Sequence, residues 1–170
     1  MHPMSIAKTP KNLFSLVLTA VLILPVFHTY AQNKSNAVHD QPSIFPKGQK
    51  APQANFTGTA WVYPLIEADS AFNIPVANVT FEPGARSHWH THGGGQALIA
   101  IDGIGYYQEK GKPIQILRKG DSVKCPPNTP HWHGASPKVG FTQIAVTPNA
   151  ANGRVTWLQP VTDQEYTKTQ

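Results

Sequence analysis

The sequence predicts an all-β domain of the sandwich or barrel type. From Phe56 onward, short runs rich in β-branched and aromatic residues alternate with Gly and Pro, a pattern typical of many short strands joined by turns. No sustained helical periodicity interrupts it before residues 162–168 near the C-terminus. Strands are therefore the main regular elements expected in the domain.

Each expected strand is a β-type run that ends at a turn signal. The predicted strands cover residues 60–65, 76–81, 87–91, 97–102, 104–109, 114–117, 122–125, 131–135, 141–146 and 155–158. Asp102-Gly103 is a strong signal for a turn between two strands, and residues 110–113 contain a second. Residues 126–130 contain three prolines, which exclude a regular strand and predict a rigid loop before His131.

The first 31 residues have the layout of a secretory signal peptide. Lys8 and Lys11 precede an almost purely apolar run over residues 13–27, and Ala31 is a small residue suited to a cleavage site. The apolar run is short of the roughly 20 residues that span a bilayer. We therefore expect a secreted or periplasmic protein with no stable membrane association after leader removal. An uncleaved N-terminal anchor is the alternative.

The remaining chain is long enough for one domain with a real core. Residues 32–54 are polar and Pro-containing, which predicts a flexible N-terminal arm, and residues 55–170 form the domain. The formal net charge is +5, but the basic residues are dispersed and do not alternate with aromatic residues. Nucleic acid is therefore not an expected partner.

Cys125 is the only cysteine, so the chain cannot form an internal disulfide. It ends an alternating apolar segment and is expected to pack inward as a small hydrophobe. A nucleophilic role has little support, because no Cys-His spacing or neighbouring acid accompanies it in the sequence.

Five of the eight histidines lie between residues 88 and 133. His88, His90 and His92 are spaced by two, so on an extended strand all three project to one face. Imidazole is a common ligand of transition metals. Gln96 follows three glycines that let the backbone turn back, and its side-chain oxygen can reach the same ion. With His131, the predicted metal ligands are His90, His92, Gln96 and His131, and His88 lies one step outside the ligand pair.

His133 is two residues beyond His131 and should face the same cavity. We interpret it as a candidate acid/base catalyst, with a purely structural histidine as the alternative. Trp89 and Trp132 are expected to be packing residues on the opposite strand face. Arg86 is expected to form a structural ion pair with Glu82 or Asp121, with a carboxylate clamp as the alternative.

These residues match the first cupin motif, a Gly, five residues, His-x-His, a Glu three or four residues later, and a Gly after six more. Gly84, His90, His92 and Gly103 meet it, with Gln96 in the Glu position.

The second motif is met by Gly120, Pro126 and His131, with Asn128 and Ala135 in its second Gly and Asn positions. The chain therefore resembles a single-domain cupin across residues 56–160. The resemblance implies a double-stranded β-helix, a small jelly-roll barrel with the metal inside its mouth.

A narrower resemblance is to the bacterial cupins that include the manganese-dependent hydroxynitrile lyases. The matching segments are residues 56–59, 81–86, 90–92 with Gln96, 131–135 and 161–166. Two features depart from them: an inward histidine on the strand after the second motif is Gln143 here, and His88 is an addition. The inward positions Ala77, Val79, Gln143 and Ala145 or Thr147 are expected to line a small, mostly apolar pocket.

Three function hypotheses follow. The first is a secreted metal-dependent enzyme acting on a small oxygenated molecule by Lewis-acid chemistry, as a carbon-carbon lyase in the narrower resemblance. The second is a metal-dependent dioxygenase, and the third is a non-catalytic binding module. The resemblance implies manganese, whereas the ligand types also suit iron, nickel or zinc. The sequence leaves open the substrate and the oligomeric state, for which a homodimer or a larger homo-oligomer is a candidate.

Overall fold

The computed structural model of the protein describes residues 43–153 and 155–168. The predicted leader and the first part of the predicted arm lie outside these residues. Within the described ranges, no helix is long and apolar enough to cross a membrane.

The described residues form twelve strands and two short helical elements, which confirms the all-β prediction. The strands are β1 (Gln49–Lys50), β2 (Phe56–Thr57), β3 (Ala60–Ile66), β4 (Val76–Phe81), β5 (Arg86–Ser87), β6 (His90–Thr91), β7 (Gln96–Glu109), β8 (Gln115–Arg118), β9 (Ser122–Cys125), β10 (His131–Ala135), β11 (Phe141–Val146) and β12 (Thr156–Trp157). A 3-10 turn covers Ala150–Asn152, and a one-turn helix, α1, covers Asp163–Tyr166.

The strands pair antiparallel into one curled sheet with the order β1-β3-β4-β11-β7-β10-β5-β2. β6 and β12 extend the part around β10, while β8 and β9 both pair with β7. This arrangement is the half-barrel of a jelly roll, as the cupin resemblance implied.

β7 departs from the prediction, because it is one strand of 14 residues and not two strands joined by a turn. The Asp102-Gly103 turn prediction is wrong. Gly103 has a φ of 76°, and the pairing register with β11 shifts between Thr142 and Gln143. The unpaired residue of this bulge is Ile101, between Ala100 and Asp102. Gly103 still pairs with Phe141 of β11, and from Ile104 onward β7 pairs with β8 and β10 instead.

The predicted strand over residues 87–91 is divided into β5 and β6. Between them, the His88 N–H donates to the Asn55 carbonyl and the Trp89 N–H donates to the Gln159 carbonyl. β5 pairs with β2 on one side, whereas β6 pairs with β12. The strand is interrupted between β5 and β6 because these two segments pair with different neighbouring strands.

Alternating residues of the strands build two separate apolar clusters. The larger fills the barrel and includes Val79, Phe81, Leu98, Ala100 and Phe141. The smaller contains four large side chains, Trp89, Trp132, Val161 and Tyr166. The expectation that both tryptophans are packing residues is confirmed.

The C-terminal segment is attached to the barrel by Arg86. The buried guanidinium donates to the Val161 carbonyl at 3.1 Å and to Asp163 Oδ1 at 2.6 Å, and lies 4.4 Å from the Tyr166 ring centroid. The Tyr166 hydroxyl donates to the Ala135 carbonyl at 2.8 Å. These contacts hold α1 against β10 and β5.

The ion pair expected between Arg86 and Glu82 or Asp121 is therefore wrong, since the partner is Asp163. Glu82 pairs with Lys47 instead, and Asp121 accepts a backbone N–H. The true partner lies 77 residues away along the chain. Only tertiary folding brings it close.

Candidate metal centre and its cavity

Three imidazoles meet inside the barrel. His90 comes from β6, His92 from the turn after it and His131 from β10, and all three are buried. One ligand nitrogen of each lies within 4.8 Å of the others. Gln96 Oε1, at the start of β7, lies 3.1 Å from His131 Nε2. The structure thus brings together the four residues expected to bind a metal.

Strand pairing and a tight turn produce this proximity. His90 and His131 occupy directly paired positions on β6 and β10, and their ring centroids are 4.2 Å apart. The His92 carbonyl then accepts the N–H of Gly95, whose φ is 81°. A residue with a side chain rarely adopts that conformation, so glycine allows the turn that returns Gln96 to the same place.

The proline-rich loop before β10 orients the His131 ring. The Thr129 N–H donates to the Pro126 carbonyl, and Asn128 has a φ of 56°. The Thr129 carbonyl lies 2.9 Å from His131 Nδ1, where it accepts the ring N–H. This bond leaves the lone pair of His131 on Nε2, the nitrogen beside Gln96.

Burial keeps the imidazoles of His90 and His131 neutral. Loss of hydration lowers the pKa of His131 to about 4. The pKa of His90 lies well below its ordinary value because of burial, and the neighbouring His131 and His133 lower it further. Neutral rings offer lone pairs at ordinary pH, and among the described residues no carboxylate belongs to the group. The nitrogen and oxygen donors therefore fit a divalent transition metal.

Cys125 packs inward, as expected, and is 2% exposed. Its Sγ also lies 3.0 Å from His131 Nδ1, a contact that the sequence interpretation missed. Burial raises the pKa of the thiol to about 11, so it remains protonated at neutral pH. The two residues are six positions apart, and only the fold of the intervening loop brings them together.

Three polar side chains next to this contact are linked to one another. The Tyr107 hydroxyl donates to Glu109 Oε1 at 3.2 Å, and Lys112 pairs with Glu109 Oε2 at 2.6 Å. The lysine hydrogen bond holds the pKa of the Glu109 carboxyl below its ordinary value. Sequence reasoning did not identify these groups, because nothing in their spacing connects them with His131.

His133 lies beside the group but outside it. Its ring centroid is 5.2 Å from that of His90 and packs against the Phe81 ring at 5.7 Å. Its Nδ1 lies 2.8 Å from Gln143 Nε2. Burial holds the pKa of His133 well below its ordinary value. Gln143 is thus the direct partner of the histidine that the sequence analysis assigned to acid/base catalysis.

His88 is buried but does not belong to the metal-capable group. It lies at the break between β5 and β6, one of the positions at which the expected continuous strand is interrupted. Its pKa is lowered by burial and by the charge of Arg86.

A cavity of about 420 Å³ adjoins the site at Gln96. Of the expected lining positions, Ala77, Ala145 and Thr147 line it together with Gln96. Val79 instead belongs to the barrel core, and Gln143 lies buried against His133. A second, mostly apolar cavity of about 360 Å³ also touches Gln96.

Comparison with known proteins bears on these features. The model of the family described as "Cupin domain" matches residues 77–138. The chain is 41% identical over 117 residues to an (R)-mandelonitrile lyase of Granulicella tundricola. The aligned segment covers 69% of this chain and 89% of that protein.

Solved structures show the same architecture. A cupin-like protein of Thermotoga maritima is 48% identical and superposes with a TM-score of 0.73, covering 75% of this chain and 96% of that one. The DMSP lyase DddQ of Ruegeria pomeroyi is 18% identical with a TM-score of 0.53, covering 70% and 61% of the two chains. The second likeness concerns the fold alone.

Proposed function

Because the chain belongs to the cupin family, we propose that it is a metal-dependent lyase that cleaves a small cyanohydrin into an aldehyde and hydrogen cyanide. The observation that carries the proposal is the buried set of donors, three imidazoles and one amide oxygen, beside a cavity that Gln96 lines. The 41% identity to an (R)-mandelonitrile lyase supports this reaction class.

His90, His92, His131 and Gln96 would hold the ion, which we propose to be manganese, with iron, nickel or zinc as substitutes. A divalent ion with only neutral ligands keeps its full charge and, when bound, supplies Lewis-acid stabilisation of a substrate oxygen. The Thr129 carbonyl and the proline-bounded loop orient the His131 ring before any ligand arrives. The site is thereby preorganised.

The reaction requires no oxidant or reductant. The bond between the carbinol carbon and the nitrile carbon breaks, and its electron pair leaves with cyanide. The hydroxyl group loses its proton as the carbonyl double bond forms, and the departing cyanide gains one proton. Residues Ala77, Ala145 and Thr147 line the cavity in which a small organic substrate would lie.

The test uses untagged protein, so that no added histidines bind metal. The protein is stripped with a chelator and reloaded separately with manganese, iron, nickel or zinc. We expect release of benzaldehyde from (R)-mandelonitrile, followed by ultraviolet absorbance, with at least one of the ions. Absence of aldehyde release with all four ions would refute the lyase.

Oxygen consumption is measured in parallel with a catechol and flavonol panel. Rapid oxygen uptake without cyanohydrin cleavage would identify a dioxygenase. Tight ligand retention without either turnover would identify a binding module.

We also propose export from the cytoplasm, on the evidence of the basic start and short apolar run of residues 1–31. The mature protein should begin near Gln32. Intact mass measurement of native material is the test, and a soluble cytoplasmic protein that retains Met1 would refute it.

A further inference from the structure

Gln143 is a fully buried amide that faces the barrel interior. It is 0% exposed and lies on β11 opposite Val79 and Ala100. Its Nε2 is 2.8 Å from His133 Nδ1, whereas its Oε1 is buried without a hydrogen-bond partner among the described residues. Burying such a carbonyl group carries a cost, so the unused oxygen marks a place where a ligand atom can be bound.

The contact determines which nitrogen of His133 carries the proton. The nitrogen of an amide side chain can donate but cannot accept, so Nδ1 is the acceptor and the single proton of the neutral ring lies on Nε2. Reversing the amide would leave a buried NH₂ group without a partner. Buried N–H groups without partners are rarer than undersatisfied carbonyl oxygens, which favours the orientation observed.

Other contacts hold the His133 ring in place without competing for its nitrogens. The backbone N–H of His133 donates to Ser87 Oγ at 3.2 Å, and the ring meets Phe81 edge to face, at an interplanar angle of 87°. Neither contact uses a ring nitrogen. Gln143 is therefore the side chain that sets the tautomer.

We propose that Gln143 is a positioning residue that holds His133 as an N–H donor, and that this donor and Gln143 Oε1 form a polar subsite for the ligand. The subsite suits a small group that accepts one hydrogen bond and donates another, such as the hydroxyl group of a cyanohydrin. This inference rests on the proposed function for its ligand, but the tautomer itself does not depend on it.

A consequence is that His133 is not the base that removes the substrate proton, since its remaining lone pair is already engaged by Gln143. Its contribution is a fixed dipole directed at charge that develops during the reaction. One such donor typically contributes on the order of 100-fold to 1,000-fold in rate.

The tautomer of His133 is tested by nitrogen-15 NMR. The protein carries nitrogen-15 in its histidine rings and is loaded with zinc, which is diamagnetic. We expect His133 Nε2 to carry the proton and Nδ1 to have the shift of an unprotonated nitrogen. In Gln143→Glu, the carboxylate can only accept, so the proton should move to Nδ1. Gln143→Leu should leave a mixture of both forms, and Ile144→Val, a half-buried change on the same strand, should match the wild type.

A protonated Nδ1 in the wild-type protein would overturn the proposal. This measurement is made on the wild type, so it does not depend on whether any variant folds. Zinc content should stay at wild-type level in Gln143→Glu and Gln143→Leu, because Gln143 is not one of the proposed metal ligands. Loss of zinc in both folded variants would instead assign Gln143 to the metal centre and would also overturn the proposal.

Turnover of (R)-mandelonitrile then tests the subsite. We expect Gln143→Glu to lower kcat about 100-fold with much less change in KM, and an unchanged kcat would refute the subsite. If the wild type shows the expected tautomer but cleaves no cyanohydrin, the proposed function fails while the positioning role of Gln143 stands.

Discussion

The two faces of β10 differ in what covers them. Toward the barrel interior, His131 contacts Gln96 and His133 contacts Gln143, and all four side chains are buried. Toward the outside, Trp132 packs with Val161 and Tyr166 from the C-terminal segment. All five residues of the strand are buried. One strand therefore provides both a candidate chemical site and the apolar packing that supports it.

The difference shows how a small barrel keeps a cluster of imidazoles in place. Packing of large apolar side chains is dense and stabilising, whereas burial of polar groups costs free energy unless they are paired. The C-terminal segment, attached through Arg86 and Asp163, provides the packing on the outer face. We infer that the outer face determines stability and the inner face determines ligand binding.

The largest expected effect is on the inner face. His131→Ala should abolish bound metal and lyase activity, because it removes the ligand that contacts Gln96, while the fold is retained. His90→Ala and His92→Ala should do the same. Elemental analysis after mild chelation measures the metal, and His88→Ala is the matched control that should keep it. Full metal content in all three variants would show that the assigned ligands are wrong.

Trp132→Ala probes the outer face. It should lower the free energy of unfolding by about 3 to 5 kcal/mol, because it empties a large fully buried site. Metal affinity of the remaining folded protein should change little. Urea unfolding followed by circular dichroism measures the first quantity. Ile116→Ala, at a side chain that is 49% exposed, should cost less than about 0.5 kcal/mol. Equal losses in the two variants would contradict the role assigned to the outer face.

Acid and alkali should each lower stability through different buried groups. The pKa of His131 is about 4 in the folded chain against 6.5 ordinarily, so only the unfolded chain gains a proton between these values. Through His131 alone, the stability of metal-free protein should fall by roughly 3 kcal/mol as pH drops from 6.5 toward 4.

Tyr166 shifts the other way, because burial raises its pKa to about 12 from 10, so its contribution is lost as pH rises above 10. Unfolding curves across this range, compared between wild type and His131→Gln, measure the acid effect. Identical acid profiles would exclude His131 as its source.

Gln96→Glu sharpens the interpretation of the inner face. The new carboxylate adds one negative charge beside the ion, so metal binding should tighten by about tenfold. The lyase rate should fall, since the charge acting on the substrate oxygen decreases. Oxygen activation at a redox-active ion would gain instead, because an anionic ligand favours the oxidised metal. Unchanged affinity and activity would remove Gln96 from the ligand set and leave three histidines.

The sequence by itself determined the β architecture and the strand faces. Alternation predicted that His90 and His131 point inward and that Trp89 and Trp132 point outward, because side chains of a strand alternate with a period of two. The proline-rich segment predicted the rigid loop before His131, since proline fixes its own backbone angle. These features depend on neighbouring residues alone.

Only the tertiary structure decided the features that depend on distant pairing. The local sequence at Gly103 predicts a turn, yet Gly103 pairs with Phe141 of β11 within the continuous strand β7. The partner of Arg86 is Asp163, and the partner of His133 is Gln143. The contact of Cys125 with His131 likewise depends on how the loop between them folds. These contacts depend on the pairing register of strands that are distant in the sequence. The residues next to each partner in the sequence therefore do not predict them.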